Sequence, residues 1–408
     1  MQDETHFETG HSGRFPLPDR VHGRCATSGA AASLPAERVA VLIRLVLLLA
    51  LWAPATALAQ ACTSDPEVCN QILSAKQDND AGAPKDALDH LRKAQDTAGI
   101  DTQWVVYLLG QKATAYSQSG NSEQSLAAIA SALEFRPNDV WLLLQSCRLH
   151  AASSFLAKAQ RDCARVRTLM RRTKDKDLQA VQMAHLVHAE AQLALIMRYP
   201  DLALEKLESL DGSGIPPRFI DDLRASALSM LGDHAAAKQA LDRVLALATD
   251  EPEASRAALY QRRGFEQIAL GTVDAGLVDL ETAVATAREV DDTVPDRDSA
   301  LAQYLYGLCA VHLQREAAEA ALEWCGALSE TETGQTSHVF LDAYGLAQMR
   351  NGLYEAAAET FAKALDLVPR STQSYRHLQQ SVRLAQDSGL PLVLDDYVDD
   401  RVRLLQPN

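Results

Sequence analysis

The residues of this chain whose types and spacing could do chemistry are seven cysteines, one histidine pair and two aspartate pairs. The cysteines are Cys25, Cys62, Cys69, Cys147, Cys163, Cys309 and Cys325. Cys62 and Cys69 flank one short loop, while Cys147/Cys163 and Cys309/Cys325 share a spacing of sixteen. Such local pairs read either as disulfides or as buried free thiols acting as small hydrophobes. His185 and His188 stand at i, i+3 and could share a metal on one helix face. No third ligand lies at a metal-binding spacing, so surface or groove histidines are expected instead. Asp395-Asp396 and Asp399-Asp400 could draw calcium, but no loop of calcium-ligand spacing surrounds them, and a solvated charged face is expected. Gly-x-Ser-x-Gly, Walker-type and His-Glu-x-x-His patterns are absent, and with them the usual nucleophile, phosphate and zinc chemistries. The chain therefore reads as a non-enzyme with no catalytic residue, metal site or cofactor.

Elements that would position these residues are helices. The 408 residues are 47% hydrophobic and 5% aromatic. Alanine and leucine dominate, and strand-like alternation is rare, which favours an all-α protein. The length suffices for a large core distributed along a stack. Net charge is −15, which argues against DNA or RNA as a partner, because that binding rests on neutralising phosphates. Charges of both signs are mixed along the helices and read as a solvated surface.

One stretch, His338 to Pro369, organises the rest. It runs Leu341, Tyr344-Gly345, Gln348, Gly352, Ala357, Phe361, Ala364, Pro369. Apolar residues recur at helical spacing on both sides of Asn351-Gly352, where glycine tolerates the left-handed conformation that ends a helix. Gly345 and Ala357 are small enough for two helix backbones to approach, Phe361 is a plug between them, and Pro369 stops the second helix. These positions resemble one tetratricopeptide repeat (TPR) unit, a 34-residue helix–turn–helix. Seven weaker copies precede it, marked by Ala75/Ala87, Tyr116/Ile129, Trp141/Cys163, Ala191/Ala203, Ala225/Leu241, Tyr260/Leu280 and Leu305/Ala321. The resemblance implies a right-handed α-α superhelical solenoid of about eight hairpins plus C-terminal cap helices, Ser371 to Asp387 being the first cap. Two further expectations concern its irregular parts. The basic stretch Arg165, Arg167, Arg171, Arg172, Lys174 and Lys176 reads as the end of a longer second helix in the third unit. Tyr199-Pro200-Asp201 reads as the turn of the fourth.

Aligned to the opening unit, Cys147 and Cys309 fall where Gly345 sits, and Cys163 and Cys325 where Phe361 sits. Those positions face each other inside a hairpin, so each pair is expected to close a disulfide within its own repeat, and Cys62 with Cys69 in the short loop. In TPR arrays the first helices of successive units line the groove. That pattern projects Tyr107, Trp141, Arg148, His188, Gln192, Phe219, Asp222, Gln261, Phe265, Tyr306, Asp342 and Arg350 toward a partner. About half are expected to pack against the neighbouring helix instead. The lysine/asparagine clamp of chaperone-binding TPR domains is missing at these positions, which argues against recognition of a C-terminal carboxylate in that style.

Four segments follow. Residues 1–35 are polar and aperiodic, a disordered leader or a misassigned start. Residues 36–59 resemble a secretory signal peptide: Arg38 and Arg44, the apolar core Leu45 to Trp52, and Ala57-Leu58-Ala59 before Gln60. Cleavage there removes Cys25 and leaves six cysteines, an even set suited to an oxidising compartment. A signal anchor, or lipidation at Cys62 behind a poor lipobox, is the competing reading. Residues 60–388 form the solenoid, and 389–408 carry a capping or partner-binding helix with Leu394, Val398, Val402 and Leu405 on one face. The expected function is a periplasmic or secreted scaffold in the bacterial cell envelope, binding a protein or peptide partner in its groove, with no membrane span after signal cleavage. The alternative is an accessory subunit of an envelope enzyme or of a glycan or lipid export system.

Overall fold

The hairpins are built from helix caps and left-handed turns. In the computed structural model the described residues are 66–96, 102–249, 251–291, 294 and 296–388. Among them stand eighteen helices and no strand. Eight hairpins follow one another: α1 (Pro66–Asp80) with α2 (Pro84–Gln95), α3 (Thr102–Gln118) with α4 (Ser122–Phe135), α5 (Val140–Ala152) with α6 (Leu156–Met170), and α7 (Lys176–Ile196) with α8 (Pro200–Glu208). The series continues with α9 (Pro217–Leu231) and α10 (His234–Leu247), α11 (Glu253–Ala269) and α12 (Val273–Glu289), and α13 (Arg297–Gln314) and α14 (Ala318–Ser329). A short helix, α15 (Glu332–Thr336), precedes the last hairpin, α16 (His338–Arg350) with α17 (Tyr354–Leu367). Helix α18 (Thr372–Asp387) packs on α17 as a cap. First helices also touch the first helices of neighbouring hairpins, as α5 does α7 and α7 does α9. The fold is an α-α superhelical solenoid.

Each hairpin turns through one residue of positive φ. Five are glycines: Gly82, Gly120, Gly232, Gly271 and Gly352. The other three, Ser154, Arg198 and Glu316, carry side chains there. Side-chain caps start several helices, among them Asn121, Asp139, Asp175 and Asp233, whose oxygens accept backbone N–H groups that have no partner within the helix.

Inside the hairpins, close approach is set by residue size. In the last repeat a β-carbon on Gly345 would stand 2.6 Å from the Phe361 ring, and Phe361 is fully buried. In the sixth, a β-carbon on Gly264 would stand 2.8 Å from the Gly276 carbonyl, and one on Gly276 2.6 Å from that of Gly264. In the third and seventh, the equivalent positions hold disulfides, Cys147–Cys163 and Cys309–Cys325, with Cα–Cα distances of 5.5 and 4.9 Å. Cys69 is also disulfide-bonded, and its expected partner Cys62 lies outside the described residues. The buried apolar residues form successive clusters along the chain, each spanning one or two hairpins. That is the distribution a stack requires, since no hairpin can bury its own apolar face alone.

Two expectations are corrected. The basic stretch is not one long helix end: α6 stops at Met170, and Asp175 starts α7 by accepting the N–H groups of Asp177 and Leu178. Arg171 to Lys174 therefore form a loop, and Lys176 opens the next helix. The fourth turn lies earlier than expected, with Arg198 at φ 62° and Pro200 as the first residue of α8. Proline suits that position because its missing N–H has no partner in a first helical turn. The segment before the last repeat, on which the repeat pattern made no reading, forms α15, capped by Thr331. Residues 1–35, the segment 36–59 and the tail 389–408 lie outside the described residues.

Candidate partner-binding groove

The first helices present polar side chains to one another, one repeat apart. At the N-terminal end, the buried Asn79 amide donates to the Gln111 carbonyl and side chain at 3.1 and 2.9 Å. Gln118 returns a bond to the Asn79 carbonyl at 2.8 Å. Gln145 donates to the Thr114 hydroxyl at 3.2 Å. Farther along, the Arg262 guanidinium holds the Asp222 carboxylate, its carbonyl at 3.1 Å and the Ser226 hydroxyl at 2.9 Å. Gln261 donates to the Gln303 carbonyl at 3.3 Å. Arg350 donates to the Leu313 carbonyl, and His377 and Gln373 of the cap hold Asp342. This ladder fixes the register of successive repeats, because a one-turn slip would leave buried polar groups unpaired.

The twelve expected groove residues divide accordingly. Phe219 and Asp222 are buried; Phe219 belongs to the apolar core between α7, α8 and α9, and Asp222 is a rung of the ladder. Asp342 is likewise a buried rung. Arg148, His188 and Gln192 are buried. Tyr107, Trp141, Gln261, Phe265 and Tyr306 are half-buried, and Arg350 is exposed. The aromatics pack against a neighbouring ring or over a glycine. Tyr107 meets Trp104 edge-on at 5.9 Å, Trp141 meets His185 at 5.1 Å and Tyr306 lies against Phe340 at 4.9 Å. Phe265 fills the space over Gly307, where a β-carbon would come within 3.1 Å of its ring. Burial, reinforced by the Asp80 charge, pushes the Tyr107 hydroxyl up to about 12.

Electrostatics single out the junction of α5 and α7. Arg148 is 7% exposed, and its Nη2 lies 3.5 Å from the His188 Nδ1. Burial pushes the guanidinium down to about 10, so it is still charged at neutral pH. Burial and then that charge push His185 down to about 4 and His188 to about 3. Both imidazoles are therefore neutral. No group of three His, Cys, Asp or Glu able to hold a metal occurs among the described residues. The two histidines instead face a cation, which would repel a metal ion.

Gln182, Leu178 and Val181 share a face of α7 with His185 and with the expected groove positions His188 and Gln192, and the sequence reading did not single them out. A helical projection of α7 could have found them, since Leu178, Val181, His185, His188 and Gln192 run at i, i+3, i+7, i+10, i+14. Leu178 and Val181 are 41% and 45% exposed. No helix of the described residues is long and apolar enough to cross a membrane.

No protein-family model and no curated protein match this chain. Solved structures do. A chain of the APC/C hetero-tetramer Cut9-Hcn1 matches with a TM-score of 0.55 and 12% identity, over 80% of this chain. This chain spans 58% of that one's length. A tetratricopeptide repeat protein from Parabacteroides merdae matches over 78% of this chain and all of its own, at a TM-score of 0.37 and 12% identity. The P58(IPK) TPR domain covers 79% of this chain and 99% of its own at 0.27 and 16%. The fold likeness rests on the first, since scores of 0.37 and 0.27 are too low to carry it.

Proposed function

We propose that this chain is a non-enzymatic scaffold that binds a protein or peptide partner along the face its first helices share. The observation that carries the reading is the row of half-buried aromatics, Tyr107, Trp141, Phe265 and Tyr306, spread over four repeats. Large amphipathic rings held at fixed spacing bury much area with little loss of side-chain freedom, and such residues dominate binding energies. The ladder and the two disulfides pre-organise the stack, which lowers the entropic cost of association.

The working compartment is the bacterial cell envelope, periplasmic or secreted. The reading draws on the two intra-hairpin disulfides, on the signal-like segment 36–59 and on the general scarcity of structural disulfides where glutathione keeps thiols reduced.

Trp141→Ala and Phe265→Ala test the groove. Each is expected to reduce recovery of a co-purifying partner about tenfold or more, the loss typical of a binding hot spot, while the helical circular-dichroism signal is unchanged. Full recovery with both variants would refute the groove. Alkylation of the native-source protein tests the compartment: Cys147, Cys163, Cys309 and Cys325 are expected to be modified only after reduction.

A further inference from the structure

Every buried carboxylate among the described residues has a basic side chain, arginine or histidine, within ion-pair distance. Asp221 meets Arg224 and Arg243, Asp222 meets Arg262, and Glu251 meets Arg218. Glu266 meets His234, Asp279 meets Arg263, and Asp342 meets His377. The converse fails at one place. Arg148 is the single buried Lys or Arg of the described residues, and no carboxylate of theirs lies in ion-pair contact with it. Its Nε has no hydrogen-bond partner. Its Nη2 reaches only a neutral imidazole, at 3.5 Å. A charge withdrawn from water without a counter-charge is costly, and folded chains ordinarily pair it. Helical spacing puts Gln145 one turn before Arg148 on α5, Gln192 one turn after His188 on α7 and Gln182 one turn before His185, and each carries a buried amide oxygen with no donor.

These groups ask for two things at once: an anion for the guanidinium and N–H donors for the glutamines. A small inorganic anion supplies the first alone. A polypeptide supplies both, the N–H groups from its backbone. The rim adds a third element, since Trp141 is half-buried over His185 and the exposed Leu178 and Val181 continue the same face of α7. The chain's net charge of −15 repels acidic segments in general, so an acidic residue gains here only by reaching Arg148 itself.

We propose that the α5–α7 junction binds an internal Asp or Glu side chain of the partner polypeptide. Its carboxylate closes on Arg148, and an adjacent apolar side chain lies on Trp141, Leu178 and Val181. This rests on the peptide-binding reading of the groove and specifies one contact within it.

The test selects C-terminally amidated random 12-residue peptides on the purified full chain, then measures the best binder and its Glu→Gln or Asp→Asn counterpart by calorimetry. Wild type is expected to enrich an acidic residue next to an apolar one, and neutralising it should weaken binding on the order of 10- to 100-fold, the usual scale of a charge-assisted bond. With Arg148→Met the same peptide change should matter less than twofold. Arg148→Lys, which keeps the charge, should retain part of the preference and stands in if the methionine variant does not fold. Peptides that bind without acidic preference, or a loss from neutralisation that is equal in wild type and both variants, would overturn the proposal and leave the groove standing. Equal binding of an acid-free peptide through a free C-terminal carboxylate would also overturn it. Failure to select any peptide displaced by Trp141→Ala would bring down the groove reading and this contact together.

Discussion

Three of the eight hairpin turns place a side chain where the backbone is left-handed. Ser154, Arg198 and Glu316 have φ of 63°, 62° and 58°, and all three are exposed. A β-carbon in that region costs about 1–2 kcal/mol, part of which glycine offsets through its larger unfolded-state entropy. Arg198→Gly and Glu316→Gly are therefore each expected to stabilise the chain by roughly 0.5–1 kcal/mol. The check is urea unfolding, where the midpoint should rise with the slope unchanged. A second prediction concerns protons. His188 is held at about 3 in the folded chain, against about 6.5 unfolded. The unfolded state thus binds its proton first, and stability falls as pH drops below about 6.5. By pH 4 the loss from His188 is roughly 3 kcal/mol, with His185 adding in the same window. His188→Gln should flatten the stability curve between pH 6.5 and 4. Carboxylates act lower. Although burial alone would raise Asp221, hydrogen bonds from Arg243 and Arg224 hold it below the usual range, so its contribution is lost only below about 3.8.

Within a hairpin, two designs occupy one geometry. The last repeat uses Gly345 under the Phe361 ring; the third and seventh use Cys147–Cys163 and Cys309–Cys325. Both hold the first and second helices close, one by complementarity and one by a covalent bond. Removing a disulfide with Cys147→Ala and Cys163→Ala is expected to cost about 3 kcal/mol by loop entropy, read from denaturant unfolding. Gly345→Ala should cost about 1–3 kcal/mol, since its β-carbon would stand 2.6–2.9 Å from ring carbons of Phe361. Adding Phe361→Leu should recover part of the Gly345→Ala loss, a coupling that independent sites would not show. The sixth hairpin allows less relief, because there backbone carbonyls obstruct as well as the Ile268 and Leu280 side chains.

Across the molecule, stability is a sum of hairpins and the interfaces between neighbours. The middle is tied most heavily. Arg263 of α11 grips Asp279 of α12 at 2.6 and 2.7 Å and Asp242 of α10 at 3.0 Å, beside the Gly264/Gly276 contact. Arg243 joins α10 to Asp221 of α9 with two bonds of 2.9 Å. Amide exchange is expected to be slowest in α9 to α12 and to quicken toward α1, α2, α17 and α18, because end repeats have one neighbour instead of two. Arg262→Met, which removes the tie to Asp222 and Ser226, should speed exchange in α9 and α11 ahead of the rest. Uniform exchange along the chain would contradict a stack of separable units.

Residue spacing, read through the repeat that it resembles, determined the hairpin count, the Asn351-Gly352 turn and the cysteine register. Each of these depends on neighbours fewer than about twenty positions apart, where helical periodicity and the size of a side chain act directly. Gly345 and Phe361 announce a close approach through their own dimensions, and two cysteine pairs at the same spacing inherit it. The irregular parts were not legible in that way. Arg171 to Lys174 became a loop because Asp175 caps a new helix, a competition that composition does not decide. Arg198 and Glu316 turn left-handed without glycine because the packed helices on either side dictate it. The groove was the least legible. A projected stripe names Arg148, Asp222 and Asp342 alike as groove residues. Which of them finds a partner depends on what the next first helix supplies, about 40 residues away for Arg148 and Asp222. Asp222 finds Arg262 and Asp342 finds His377, while Arg148 finds a neutral imidazole. Only the stacking of one repeat on the next brings those groups together, and so only the tertiary structure separates the rungs of a ladder from a charge left without a counter-charge.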